Sequence, residues 1–126
     1  MSELTPYLAV ADCRAAMDWY EQVLGAVVTR EPIVMPDGRV GHVEMSVDGA
    51  VFFMADAHPE IQVTAPGGEG SPVTLHLTVA DVDRLTTAAR DAGATVDRGP
   101  EDSPPVGRVA VFRDPFGHRW FLNQPL

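Results

Sequence analysis

The sequence is an imperfect tandem repeat, and this repeat limits the possible folds more than any other feature. Four segments of the first half recur in the second half, in the same order and at an offset of 68 or 69 residues. Such self-similarity indicates one structural unit present twice. The matching segments are LAVAD at 8–12 and LTVAD at 77–81, GAVVTREP at 25–32 and GATVDRGP at 93–100, GRV at 38–40 and at 107–109, and GAVFFM at 49–54 and GHRWFL at 117–122.

Each half begins with a predicted strand followed by a predicted helix. A β-rich run, at residues 5–10 and again at 74–79, leads to an aspartate at position 12 or 81. Asp12 and Asp81 are placed to accept hydrogen bonds from the free N–H groups of a first helical turn. Each helix is expected to end at a glycine, Gly25 or Gly93, because glycine readily adopts the left-handed conformation after a helix. Apolar residues then recur with helical period, at Ala16, Trp19, Tyr20, Val23 and Leu24 and at Val82, Leu85, Ala88, Ala89 and Ala92.

Three further β-rich stretches follow each helix, which gives a βαβββ module. They are separated by turn sequences at 36–38, 48–49 and 114–117. A Pro- and Gly-rich segment between the halves reads as a linker. The prediction is one α+β domain over residues 1–126, with module one at 1–58, the linker at 59–72 and module two at 73–126. Whether the modules pair within one chain or between two chains stays open at this point.

Composition and charge restrict the partners and the compartment. The chain has 126 residues, of which 45% are hydrophobic, and it contains no apolar run of membrane-spanning length. A single cysteine, Cys13, and an N-terminus without a signal region predict a cytoplasmic protein. The net charge of −9 disfavours nucleic acid and anionic membranes as partners and suits a cationic ligand.

The repeat and its motifs resemble the vicinal-oxygen-chelate superfamily, which includes glyoxalases, extradiol dioxygenases and bleomycin-resistance proteins. The similar features are a strand ending in VAD, a helix with Trp19, Tyr20, Leu24 and Gly25, and the motif RDPFGH at 113–118 before an apolar strand. The resemblance covers residues 4–123. It implies two βαβββ modules that form a curved mixed-sheet cup with a ligand inside, often a divalent metal, and a homodimer.

The resemblance also implies where a metal would bind. The family takes one ligand from the first strand and one from the last strand of each module, and these positions correspond to Thr5, Phe53, Thr74 and Phe121 in this sequence. A threonine hydroxyl is a weak neutral ligand, and phenylalanine has no lone pair to donate. The sequence therefore predicts neither the usual metal site nor a cofactor.

Other polar residues near these positions are candidates for ligand binding. His76 shares a strand face with Thr74, and Tyr7 is its counterpart in module one. His76 is interpreted as a base or hydrogen-bonding group, or alternatively as a packed strand histidine. Arg119 shares the face of Phe121 and is suited to hold a carboxylate or phosphate, or to pair with a nearby acidic side chain.

His42 and Glu44 share a face of one predicted strand. They could bind an ion or relay a proton, but two groups are too few for a stable metal site on their own. The favoured interpretation is a solvent-facing polar pair. Whether His42, Glu44 and His76 together form an atypical metal site stays open.

The leading hypothesis is a metal-independent small-molecule binding protein of the bleomycin-resistance type. It would sequester an aromatic or cationic ligand in a cup with an apolar, aromatic floor. The alternatives are a glyoxalase-like lyase or isomerase, or a dioxygenase-related enzyme, with a non-standard site, and a domain whose cup is filled by its own side chains. The predicted ligand-binding residues are Thr5, Tyr7, Phe53, Thr74, His76, Arg119 and Phe121.

Overall fold

The computed structural model describes residues 1–68 and 70–126 and contains two copies of the predicted βαβββ unit. The chain divides into two compact units, Met1–Pro66 and Gly67–Leu126, so the boundary falls inside the predicted linker. The predicted α+β class and module order are confirmed. The elements are β1 (Tyr7–Val10), α1 (Cys13–Leu24), β2 (Val27–Val34), β3 (Val40–Val47), β4 (Ala50–Asp56), a 3₁₀ turn (Pro59–Ile61), β5 (Thr74–Thr78), α2 (Val82–Asp91), β6 (Thr95–Ser103), β7 (Gly107–Arg113) and β8 (Arg119–Pro125).

Each unit contains one four-stranded mixed sheet. The strand order is β1-β4-β3-β2 in the first unit and β5-β8-β7-β6 in the second. The first and last strands of each unit run parallel to each other, whereas the remaining neighbours are antiparallel. The first and last strands are therefore adjacent, and side chains on them meet on one face.

Both helices begin as the sequence predicts, and α1 ends at Gly25 as predicted, whereas α2 ends at Asp91 with Ala92 as its cap and Gly93 one residue further on. Asp12 accepts a hydrogen bond from the amide of Ala15 at 3.1 Å, and Asp81 accepts one from the amide of Arg84 at 3.1 Å. Gly25 follows α1 with a φ of +69°, in the left-handed region that glycine adopts without steric cost. Within the described residues, neither helix is long and apolar enough to span a bilayer.

A further hydrogen bond connects the start of each helix to the last strand of its own unit. The amide of Cys13 donates to Asp56 Oδ1 at 2.7 Å, and the amide of Val82 donates to Gln124 Oε1 at 3.0 Å. Asp56 and Gln124 occupy equivalent positions on β4 and β8. Asp56 makes one more contact, because its Oδ2 accepts from the amide of Val40 at 2.7 Å. The contacts to Cys13 and Val82 satisfy N–H groups of the first helical turn that have no partner inside the helix.

The packing of α1 follows the prediction, and that of α2 departs from it. All five residues of the predicted α1 stripe are buried. In α2 the buried residues are Val82, Thr86 and Ala89, whereas Leu85, Ala88 and Ala92 of the predicted stripe are only half-buried. Thr86 tolerates burial because its hydroxyl donates to the carbonyl of Val82 at 2.7 Å. A hydrophobic pattern alone does not reveal such a satisfied polar group.

The first strand starts later than predicted. β1 begins at Tyr7, so the expectation that Thr5 lies in this strand is wrong. Pro6 has no N–H to donate to the sheet, and only its carbonyl takes part, accepting from the amide of Phe53 at 2.8 Å. The residue that lies beside Phe53 is therefore Tyr7.

Candidate functional site

The face of the first sheet that points away from α1 carries a group of aromatic and ionisable side chains. β1, β4 and β3 are consecutive in the sheet, and in its register Phe53 lies beside both Tyr7 and Glu44. His42 is two residues before Glu44 on β3 and shares its face. Three strands that are distant in sequence thus bring Tyr7, Phe53, His42 and Glu44 together.

Three rings of this group pack edge to face. The ring centroids of Tyr7 and Phe53 are 5.7 Å apart, those of His42 and Phe53 are 5.0 Å apart, and those of Tyr7 and His42 are 5.3 Å apart. Contacts of this type contribute about 0.5–1.5 kcal/mol each beyond the area that they bury. The rings therefore hold each other in position before any ligand arrives. We call these three residues the aromatic cluster.

A chain of hydrogen bonds runs through the same group. Tyr7 Oη lies 2.6 Å from His42 Nδ1, and His42 Nε2 lies 2.8 Å from Glu44 Oε2. The side chains of His42 and Glu44 are 21% and 26% exposed, so the predicted solvent-facing polar pair is partly buried. The pKa of the Tyr7 hydroxyl is raised, mainly by partial burial and to a smaller extent by the thiol of Cys13 and the carboxylate of Glu44. Tyr7 therefore keeps its proton at neutral pH.

Tyr7 also borders a cavity of about 480 Å³ that lies within the first unit. Pockets for small molecules span roughly 300–1,000 Å³. Asp56 contributes to the wall, but each of its carboxylate oxygens already accepts a backbone N–H. Apart from His58 and the backbone of Gly41, the remaining wall is apolar and consists of Ala9, Met35, Ala55, Ile61 and Val63.

Two residues of the predicted linker, Ile61 and Val63, line this cavity. The amide of His58 donates to the carbonyl of Val63 at 2.7 Å, and the amide of Val63 donates back at 3.2 Å. The guanidinium of Arg39 lies 3.2 Å from His58 Nε2 and 3.2 Å from Glu60 Oε2. Ile61, in the 3₁₀ turn between these bonds, reaches the cavity. Sequence reasoning missed this contribution because proline- and glycine-rich composition obscured the isolated apolar residues.

The second unit carries a different group at the equivalent positions. The rings of His76 and Phe121 stack at 5.5 Å with an angle of 19° between their planes, and the guanidinium of Arg98 lies 5.9 Å from the centre of the Phe121 ring. Arg119 donates to the hydroxyl of Thr74 at 2.5 Å. Arg119 is thus bonded to a neutral hydroxyl instead of an acid, and sequence reasoning missed Arg98.

The side chains at the family's metal positions do not fit a metal ion. Phe53 and Phe121 offer no lone pair, and Thr74 lies beside the cationic Arg119. Both ring nitrogens of His42 are already hydrogen-bonded. In the part of the chain that the structure describes, no three His, Cys, Asp or Glu side chains lie where they could hold a metal together. The donor chemistry of these positions is therefore unlike that of the metal-binding family members.

Comparisons with known proteins agree with this fold. The Glyoxalase/Bleomycin resistance protein/Dioxygenase superfamily profile matches residues 4–122. The protein Mb0911c of Mycobacterium bovis is 39% identical over 128 residues, which span 98% of this chain and 83% of Mb0911c. The anthracycline biosynthesis protein DauV of Streptomyces sp. strain C5 is 31% identical over 118 residues, which span 87% of this chain and 42% of DauV.

A solved structure shows the same architecture. The crystal structure of TnmS3, an antibiotic-binding protein from Streptomyces sp. CB03234, superimposes with a TM-score of 0.69 at 28% identity and covers 100% of this chain and 98% of TnmS3. The superfamily profile, the two βαβββ units and these relatives lead to one conclusion. The chain belongs to the Glyoxalase/Bleomycin resistance protein/Dioxygenase superfamily.

Proposed function

We propose that the protein binds a small aromatic molecule and does so without a metal ion. The observation that carries this proposal is the aromatic cluster of Tyr7, His42 and Phe53, which meets a largely apolar cavity of about 480 Å³ at Tyr7. In related metal-binding proteins the position of Phe53 holds a ligand to the ion. Here the same position supplies a ring that packs against Tyr7, which borders the cavity, and against His42.

The chemistry of the cavity favours a planar, mostly uncharged ligand. An aromatic ring entering beside Tyr7 would bury apolar surface against Ala9, Ala55 and Met35 and extend the edge-to-face packing of the cluster. The one carboxylate in the wall, that of Asp56, already accepts a backbone N–H at each oxygen, which leaves it fewer lone pairs for a polar group of the ligand. TnmS3 is an antibiotic-binding protein, and DauV belongs to anthracycline biosynthesis, a pathway of aromatic compounds. DauV supports an aromatic ligand class, and TnmS3 supports a binding function for an antibiotic-like small molecule.

The same cavity argues against a domain filled by its own side chains. A separate candidate is an enzyme with a non-standard site, and the hydrogen-bonded chain of Tyr7, His42 and Glu44 favours it, because such chains transfer protons. Product analysis after incubation of protein with a bound compound separates the two functions. A binding protein returns the compound unchanged, whereas an enzyme converts it.

Isothermal titration against a panel of polycyclic aromatic antibiotics, with chelator present, tests the proposal. We expect at least one compound to bind, and we expect Phe53→Leu to weaken binding about two- to tenfold, because this change removes ring contacts but keeps apolar volume. Phe116→Leu, in the turn before β8, is the matched control and should leave affinity unchanged. Absence of binding across the panel, or equal effects of the two variants, would contradict the proposal.

A further inference from the structure

We infer that Tyr7, His42 and Glu44 form a proton-accepting site for an aromatic hydroxyl group, so that the ligand is a phenol. This inference rests on the proposed function and names the chemical class of the ligand. It follows from the hydrogen-bonded chain and from the place where that chain meets the cavity. We call these three residues the relay.

The direction of each hydrogen bond in the relay follows from which groups carry protons. An ionised carboxylate only accepts, so the bond of 2.8 Å to Glu44 requires a proton on His42 Nε2. A neutral imidazole then has a lone pair on Nδ1, and the Tyr7 hydroxyl donates its single proton to this nitrogen at 2.6 Å in preference to the more distant carbonyl oxygen of Gly41 at 3.2 Å. The lone pairs of Tyr7 Oη are left to accept a hydrogen bond. The group that a ligand presents to Tyr7 must therefore be a donor.

Tyr7 is the residue of the relay that borders the cavity. Tyr7 and Gly41 both line the cavity, and Tyr7 Oη lies 3.2 Å from the carbonyl oxygen of Gly41. Tyr7 is 53% exposed, so its ring is not sealed inside the protein. A ligand in the cavity can therefore reach this hydroxyl, while His42 and Glu44 behind it are largely shielded from water.

The relay can take up the proton of a bound phenol in two coupled transfers. The phenol O–H proton passes to Tyr7 Oη while the original Tyr7 proton passes to His42 Nδ1. The ligand becomes a phenolate, Tyr7 remains a neutral hydroxyl that now donates to it, and His42 becomes an imidazolium held by the Glu44 carboxylate. No proton is gained or lost overall.

The charges around the relay favour a phenol over an ammonium group. Glu44 is already engaged by His42, and Arg30 lies opposite Glu44 in the register of β2 and β3. The thiol of Cys13 is the other titratable group that acts on Tyr7, and it is fully buried. After the transfer, the positive charge on His42 attracts the phenolate that the ligand has become. An ammonium group could donate to Tyr7 in the same way, but on losing its proton it becomes a neutral amine and does not receive this stabilisation.

A matched pair of probes tests the inference through affinity. We expect the protein to bind 2-hydroxyanthraquinone about tenfold more tightly than 2-methoxyanthraquinone, because only the hydroxyl donates to Tyr7. In Tyr7→Phe, which keeps the ring and removes the hydroxyl, the preference should fall below about twofold. Glu21→Gln, on the exposed side of α1, is the control and should keep the preference. Equal binding of both probes by the unaltered protein would overturn the inference and leave the proposed function intact.

The visible spectrum of the hydroxylated probe tests proton transfer directly, because its absorption changes when the phenol ionises. We expect the bound probe to ionise at a pH about one unit lower in the unaltered protein than in Tyr7→Phe, with Glu44→Gln intermediate. A spectrum that is the same in all three proteins would contradict the relay.

The relay can also be examined without any ligand. Nitrogen NMR of the folded protein should show His42 with its proton on Nε2, and Glu44→Gln should shift the ring toward a mixture of tautomers. A proton fixed on Nδ1 would overturn the inference even if neither anthraquinone binds. Failure of both probes to bind, with the Nε2 tautomer present, would count against the proposed function for this ligand class.

Discussion

Asp56 and Gln124 bind the starts of α1 and α2 at equivalent positions, but their hydrogen bonds differ in number and strength. This difference leads to a stability prediction. Replacing Asp56 with alanine removes two acceptors at once, those of the Cys13 and Val40 amides, both at 2.7 Å. Replacing Gln124 with alanine removes one neutral acceptor, that of the Val82 amide at 3.0 Å. All other contacts of the two helix starts, including the aspartate caps, remain in both variants.

The expected cost follows from the type of bond. A hydrogen bond to a charged acceptor contributes about 1.5–3 kcal/mol, and a neutral one about 0.5–1.5 kcal/mol. Because Asp56 is only partly buried, the lower value applies to each of its two bonds, which gives about 3 kcal/mol for Asp56→Ala. The corresponding value for Gln124→Ala is about 1 kcal/mol. The two variants should therefore differ by about 2 kcal/mol in the free energy of unfolding.

Urea unfolding followed by far-ultraviolet circular dichroism measures this difference. The urea concentration at the midpoint of unfolding should be lower in both variants, and lowest in Asp56→Ala. The dependence of the unfolding free energy on urea concentration should not change. A Gln124→Ala variant that is as destabilised as Asp56→Ala would refute the reasoning, because it would show that the charge and the second bond of Asp56 contribute nothing.

Two further predictions concern stability. The pKa of the Cys13 thiol is raised from 9.0 to about 12, mainly by burial and to a smaller extent by the carboxylate of Asp56. Above pH 9 the thiol therefore loses its proton in the unfolded chain but keeps it in the folded protein. Stability should fall by up to roughly 1.4 kcal/mol per pH unit between pH 9 and 12, and unfolding curves of Cys13→Ala should lack this component. Gly99→Ala should cost about 3 kcal/mol or more, because φ is +72° and the added Cβ would lie 2.3 Å from the Val109 carbonyl oxygen. Gly68→Ala, with open space around it, should leave the melting temperature almost unchanged, and similar losses in the two alanine variants would contradict this explanation.

Local signals in the sequence were sufficient to predict the elements of the fold. The repeat predicted the order of elements, and Asp12, Asp81 and Gly25 marked helix ends through chemistry that acts within a few residues. The predicted strand start was incorrect and the predicted buried face of α2 was only partly correct, because backbone and hydrogen-bonding effects outweighed the local sequence pattern. Pro6 delays the first strand, and Thr86 is buried because its hydroxyl finds a carbonyl partner in the same helix.

The candidate site could be predicted only in part, because it depends on contacts between distant strands. Alternation along β3 predicts that His42 and Glu44 share a face, but it does not show that Tyr7 reaches His42 across β4. The same holds for Ile61 and Val63, whose place in the cavity depends on the pairing of His58 with Val63. Composition carries no information about such pairings.

The central claim is that the aromatic cluster of Tyr7, His42 and Phe53, together with the cavity that it meets at Tyr7, binds the ligand without a metal ion. The most direct measurement is the affinity for 2-hydroxyanthraquinone of chelator-treated protein, before and after addition of one equivalent of Zn²⁺, Ni²⁺ or Mn²⁺. We predict the same dissociation constant in every case, since Phe53 and Phe121 have no atom that coordinates a cation. Binding that appears only after a metal is added would contradict the account.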